Sequence, residues 1–442
     1  MNILDKLSEK LDTDGPRLAA LDRYWSGTQP AAWLSPDSRE ALGDRLKVLA
    51  VNFPRLAVES LAQRLQVTGF RLDGPDSEPD AALWRLWRRN GMADASAQAH
   101  VDALVYGRSF VVVWADRDGA PLVTVESPSQ VAVLRDPATR RVVAALKRWA
   151  DDRRGHAVLY EPDKITRYES ASTVDGPASV PASSWRRAEA IRNPLGVVPV
   201  VPVVNRGRLL EVDGESEMAD VLDLTDALAK LETDMLVTSE FFARPRRWAT
   251  GLEVKEDDDG NPVRPFSPAL DDVWQSESPE TRFGQFDPAR LDGYSDAIAT
   301  ITQQIGALTG LPPHYLGLHG DQPASADAIR SAEASLVARC CQLQRCFGQA
   351  WADVARLVLA VRDGSDPRAS DVETVWANPE TRTPAQAADA ALKLRGIGVP
   401  LEVVMADTLG MTPAQIERVR QATTNQAPAT PPGNYQRKVE TL

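Results

Sequence analysis

Four histidines and three cysteines are the side chains from which metal or nucleophilic chemistry would start: His100, His156, His314, His319, Cys340, Cys341 and Cys346. Only His314 and His319 are near neighbours, five residues apart across Gly317. A loop could bring such a pair to one metal, but polar loop residues at an interface are the simpler reading. The cysteines fall on a predicted helix, where adjacent Cys340 and Cys341 point in different directions. They read as small buried hydrophobes. Paired acids occur at Asp257–Asp259 and Asp271-Asp272, among Gly, Asn and Pro. A catalytic carboxylate needs burial to shift its acidity, and these turns promise solvation instead. A weak cation site is the most they suggest. The chain lacks GxxxxGK followed by Ser or Thr, GxGxxG after a strand, HExxH and GxSxG. No catalytic residue, metal ligand or cofactor is assigned, and the chain is expected not to be an enzyme.

The elements that would position any site are clearer. Leu4, Leu7 and Leu11 keep helical spacing, and further helices are predicted over Pro16–Trp25 and Pro36–Val48. Pro54 opens another, with Leu56, Val58, Leu61 and Leu65 as its stripe, before Val67–Leu72 turns to β character. Residues 80–107 read as two helices parted by Asn90-Gly91. Trp84 and Trp87 share a face there, so a tryptophan ridge in the core is expected, with Arg85, Arg88 and Arg89 solvated. A nucleic-acid patch is the sharper alternative. From Ser109 to Asn205 the period changes to short strands, in a mixed or antiparallel sheet. Pro199 and Pro202 place the last run at an edge or crossing.

The next segment is the most distinctive. Residues 215–243 predict one long helix, about 40 Å at ~1.5 Å per residue. From Glu211 to Phe242 there are ten acids and one base, Lys230. An acidic, proline-containing excursion follows (244–286), then a helix (287–309), the loop GLPPHYLGLHGDQPAS, and a very long helix over about 324–361 capped by Ser325. Residues 366–425 read as short helices, two of them begun by Thr383-Pro384 and Thr412-Pro413. The last residues, rich in Pro, read as a flexible tail. Two helices holding a compact insertion suggest a stalk with a tip, and oligomerisation to cover it.

Composition limits the rest. The chain has 442 residues, 43% of them hydrophobic, enough for a sizeable core. No apolar run reaches the ~18 residues of a membrane span. The opening MNILDKLSEKLDTDG lacks a signal-peptide layout, and three clustered cysteines exclude a disulfide framework. The chain is expected to be assembled in the cytosol. With 50 Lys+Arg against 62 Asp+Glu, the net charge is −12. A surface of that sign does not grip nucleic acid, although it could surround it.

Two stretches carry a family resemblance. One is LDRYWSGTQPAAWLSP through LKVLAVNFPRLAVESLAQRLQVTGFRL, residues 21–72. The other is FGQFDPARLDGYSDAIATITQQIGALTGLPPHYLG, residues 283–317, followed by a polar loop and the Ser-Ala-x-Ala-Ile-Arg helix. Together with the element order over residues 5–425, they resemble the portal proteins of tailed bacteriophages, in particular long-tailed phages and prophages of actinobacteria. The resemblance implies an α+β portal fold in a ring of twelve at one capsid vertex. It implies partnership with terminase, major capsid protein, scaffold and a head–tail adaptor, and passage of double-stranded DNA without sequence specificity. The expected place is the virion, after assembly in the host cytoplasm, with no membrane contact.

By the same resemblance, residues 1–210 and 324–365 are wing, 211–243 and 287–309 stem, 244–286 clip, 310–323 the tunnel-loop region, 366–425 crown and 426–442 tail. The tunnel-loop region includes Pro312, Pro313, His314, Tyr315, Leu316 and Gly317. Twelve copies of a −12 chain carry roughly −144 formal charges, and such a wall repels phosphates. Channel-lining candidates are Glu215, Glu217, Asp220, Asp223, Asp226, Glu232 and Asp234, whose plainer reading is a solvated helix face. Arg244, Arg246 and Arg247 at the stem–clip junction are expected to pair with a neighbouring subunit's acids or to touch DNA. Two other readings stay open: a head–tail or capsid component without a channel, and a soluble enzyme or regulator with a helical stalk.

Overall fold

The computed structural model describes residues 2–30, 51–72, 79–151, 154–170, 185–242, 247–251, 276, 278–287, 290–318, 325–380 and 384–426. The chain divides into two units, one made of residues 1–29, 52–222 and 306–442, the other of residues 30–51 and 223–305.

The first unit is built on a 38-residue helix, α7 (Ala326–Asp363), numbered in chain order among α1 (Ile3–Ser26), α2 (Phe53–Ala62), α3 (Ala81–Arg89), α4 (Met92–Tyr106), α5 (Leu222–Phe242), α6 (Asp292–Thr309), α8 (Pro384–Gly396) and α9 (Pro413–Gln426). Ser325 caps α7 as expected, its hydroxyl accepting from the Ala328 N–H at 3.2 Å. Leu336, Cys340, Leu343, Phe347, Trp351, Val354 and Val358 recur every three or four residues along it and form the buried stripe. Trp87 meets Trp351 edge-on at 5.1 Å and stacks beside Trp84 at 6.0 Å, while Arg85, Arg88 and Arg89 stay exposed. The tryptophan ridge is core.

Three antiparallel sheets complete this unit. One has the order β4-β5-β6-β7-β8, from Val131–Arg135, Val142–Ala150, Gly155–Tyr160, Lys164–Ser170 and Trp185–Arg192. A second is β3-β2-β9, from Pro121–Glu126, Arg108–Ala115 and Val200–Val204. The third pairs β1 (Val67–Leu72) with β12 (Val372–Trp376). The run FVVV in β2 is continuously apolar because both faces are covered. Val111 and Val113 face the α7 core, whereas Phe110 and Val112 pack with Val131, Val133 and Ala145 of the five-stranded sheet. Strand β9, with Pro202, is an edge strand, as its prolines require.

Three expectations need correction. Helix α1 runs unbroken through Pro16. Leu4, Leu7 and Leu11 pack on the five-stranded sheet, Leu18 and Leu21 are buried beyond the proline, and this packing offsets the lost N–H bond. Strand β8 (WRRAEAIR), inside the stretch predicted to be strands, carries none of the alternation expected there: seven of its eight residues are exposed and it has no apolar face. Strand β12 falls in a stretch read as helical, and its pairing with β1 decides its form. The expected helix over 36–48, the start of the α8 cap at Thr383 and the tail beyond 426 lie outside the described residues.

The second unit is entered through α5 and left through α6, with β10 (Arg247–Thr250) and β11 (Arg282–Gln285) between them. The two short strands pair antiparallel, Arg247 opposite Gln285 and Thr250 opposite Arg282, and so close the ends of the excursion. Tyr294 of α6 and Thr238 of α5 share a hydroxyl hydrogen bond of 3.2 Å.

Candidate functional site

The acid-rich segment is two structures, not one helix from residue 215. Helical geometry begins with a 3-10 turn, Ala219–Val221, and α5 proper starts at Leu222. Upstream, the backbone donors are taken by strand and helix ends. The Glu215 N–H donates to Asn205 O at 3.1 Å, and the Glu217 N–H to Leu104 O at 2.8 Å. Residues 215–218 therefore cannot wind into α5. Likewise α6 begins at Asp292, not at 287.

This divides the seven candidate acids. Glu215 lines a charged cleft of about 930 Å³ with Lys6, Lys10, Arg17 and Arg108. Glu217 is buried, its carboxylate held by Arg339 and by the Asn205 amide at 3.2 Å. Its charge is spent inside the fold, which removes it from any lining. Asp220 accepts from Arg206 at 2.8 Å and steadies the 3-10 turn. The other four lie on α5. Thr225, Leu228, Ala229 and Thr233 form its buried face. Asp223, Asp226, Lys230 and Asp234 follow at steps of three and four along the opposite side, with Lys230 bonded to Asp234 at 2.5 Å. Glu232 sits four residues from Leu228 and three from Ala229, on the buried side, and burial raises its carboxyl above the usual range.

At the junction, Arg247 heads β10 and is exposed, while Arg244 and Arg246 lie outside the described residues. The tunnel-loop candidates form a 3-10 turn, Pro313–Leu316, begun by buried Pro312 and ended by Gly317 in the left-handed region. Leu316 is buried in the main core, and His314 is exposed. Tyr315 accepts from the Arg64 guanidinium at 3.0 Å, and Arg64 also reaches Glu333 at 3.0 Å and Pro379 O at 2.7 Å. Hydrogen bonding to Tyr315 and the charge of Glu333 raise the Arg64 pKa against burial. Arg64, Asn205 and Arg339, which hold these segments, had no signal in local spacing. Arg64 reaches Tyr315 and Glu333 251 and 269 residues away and Arg339 reaches Glu217 122 away, while Asn205 meets Glu215 and Glu217 ten and twelve residues on, outside any helical or strand spacing.

Among the described residues, no three His, Cys, Asp or Glu gather as a metal site. His319, Asp257–Asp259 and Asp271-Asp272 lie outside the described residues. Cys340 is buried and burial pushes its thiol up to about 11. Cys346, expected to be buried, is exposed on α7.

The family described as phage portal protein, SPP1 Gp6-like, matches residues 4–428. The chain belongs to the phage portal protein family. The portal protein of Mycobacterium phage L5 is 35% identical over 395 residues, covering 84% of this chain and 78% of that protein. The portal protein of Mycobacterium phage D29 is 34% identical over the same shares. A chain from the neck of a native gene transfer agent particle, computed with C12 symmetry, aligns with TM-score 0.47 and 14% identity, over 90% of this chain and 99% of that one. As a phage portal protein the chain has a structural task, and the acids of α5 and the turn at 313–316 are the parts to weigh for it.

Proposed function

We propose that this portal protein forms a ring of twelve at one capsid vertex and that the ring is the channel for DNA packaging and ejection. Residues 211–243 and 287–309 serve as stem, 244–286 as the clip that meets terminase and later the head–tail adaptor, and 310–323 as the tunnel-loop region. Residues 1–210 and 324–365 act as wing beside capsid protein and scaffold, and 366–425 as crown. The observation that carries the reading is the stripe Asp223, Asp226, Asp234 along one side of α5, with Lys230 as the base among them. Repeated around a ring, that stripe makes an acidic wall that phosphates slide past without sticking. Glu232 and Glu217 are left out of the lining, the first for its place on the buried side of α5, the second for its ion pair. In this reading Arg247, exposed at the head of β10, pairs with acids of a neighbouring subunit.

Negative-stain imaging with mass photometry of the purified chain tests this. A ring with a central hole and twelve subunit masses is expected. A compact dimer that no capsid partner converts to a ring would overturn it.

A further inference from the structure

The loop after β9 carries the most exposed apolar residue in the described chain. Leu209 is 74% and Leu210 92% exposed, at the tip of a tight turn closed by the Arg208 N–H donating to Glu211 O at 3.1 Å. The base of the loop is firmly tied. Asn205 and Glu215 bond each other twice, through the Glu215 N–H to Asn205 O at 3.1 Å and the Asn205 amide to Glu215 O at 2.9 Å. Gly107 and Gly214 pass so closely that neither has room for a Cβ. Two leucines held out on an anchored turn lose little freedom on binding, which is what an interface anchor needs.

The first unit also has a hollow of about 440 Å³ between α4 and β3, with Ala97, Ala99, Val101 and Val125 in its lining. That volume lies within the ~300–1,000 Å³ of pockets that take ligand-sized groups. Its charged groups are acids. Glu126 is matched by Lys147 at 2.5 Å, but Asp102 has only the Ser127 hydroxyl, with no cation in reach among the described residues. Burial raises the Asp102 carboxyl to about 6. Across the sheet, Arg208 is exposed beside the leucines and its guanidinium has no partner among the described residues.

The topology sets these two features at opposite edges of one sheet. β9 and β3 are the two outer strands of one sheet, with β2 between them. The register aligns Arg108 with Val204 and Phe110 with Glu126, so the loop and the hollow lie at the same end of that sheet. A head-to-tail ring needs a projecting part on one side of each subunit and a receiving part on the other.

We propose that the Leu209-Leu210 tip of one subunit seats in the α4–β3 hollow of the next copy of this chain, with Arg208 paired to Asp102. The inference rests on the ring reading above and names its wing contact. The test uses the full chain. Leu209→Asp with Leu210→Asp, both on exposed positions, raises the concentration for half-assembly about a hundredfold. Arg208→Asp weakens assembly, and adding Asp102→Arg restores it. As a second measurement, Leu210→Cys with Gln98→Cys, in a Cys341→Ser, Cys346→Ser background, gives a ladder of cross-linked subunits on oxidation. Intact rings from the Leu209, Leu210 double variant together with no ladder overturn this contact and leave the ring reading standing. Intact rings that fail to enter heads also overturn it, because the tip would then serve capsid protein. A wild-type chain that forms no ring overturns both.

Discussion

His100 is a neutral imidazole enclosed by aromatic rings. The Trp351 indole N–H donates to its Nε2 at 2.8 Å, Phe347 stacks on it at 5.4 Å, and Trp376 lies at 5.6 Å. Burial pushes its pKa down to about 3 from 6.5. The unfolded chain takes up a proton below pH 6.5 while the folded chain does not. Stability is therefore whole above pH 6.5 and falls by about 1.4 kcal/mol per pH unit down to about pH 3. His100→Phe removes that slope, at a cost of about 1–3 kcal/mol at neutral pH for the stranded Trp351 N–H. Urea unfolding of both proteins between pH 7 and 4 reads the difference, and parallel slopes would sink the account. Little of this is legible in the sequence, where His100 is one histidine among four and its partner lies 251 residues on. What is legible is what local spacing controls: the Trp84–Trp87 ridge and the Ser325 cap.

At the scale of elements, the segment from 205 to 221 decides where the acids go. Its anchor is the Gly107–Gly214 crossing. Gly214 has φ +76°, and a Cβ there would come within 2.2 Å of Gly107 O and 2.5 Å of Asn205 O. Gly214→Ala combines backbone strain with a clash, so a loss of about 2–4 kcal/mol is expected, read as a lower midpoint in thermal unfolding. Gly196→Ala, also at positive φ but with open space around it, provides the control and should cost about 1 kcal/mol. An equal effect at both sites would show that the crossing is not tight. The sequence concealed this boundary because the acids continue across it. A run of Glu and Asp looks the same whether its backbone donors serve a helix or Asn205 and Leu104. Strand β8 carries no signal of its own for a related reason, since exposure on both faces erases the alternation that marks a strand.

For the whole molecule, element order was the legible part. The strand-rich middle, the helix–excursion–helix passage and the long helix after the Pro-Pro loop all fall where the sequence predicts them, to within a few residues at most ends. The function that follows from family membership can be tested on charge. Asp223→Asn, Asp226→Asn and Asp234→Asn together remove three negative charges per subunit without touching the buried face of α5. Rings should persist, while DNA passage slows several-fold and the slowing eases as salt rises, because phosphate attraction is screened. Packaging or ejection rates measured at two ionic strengths give the readout. A salt-independent slowing would mean that the stripe acts through packing.

The pairing of β1 with β12 has a consequence in time. Leu72 faces Val372 across the third sheet. During synthesis, β1 and buried Phe70 wait for some 300 residues of chain, roughly 15–60 s at ~5–20 residues per second. Helices α5 and α6 and the chain between them emerge in that interval, before the third sheet can close. A growing chain thus lacks this sheet until β12 has been made. The first unit is therefore completed late in synthesis, and any assembly that needs the third sheet waits until residue 376 has emerged.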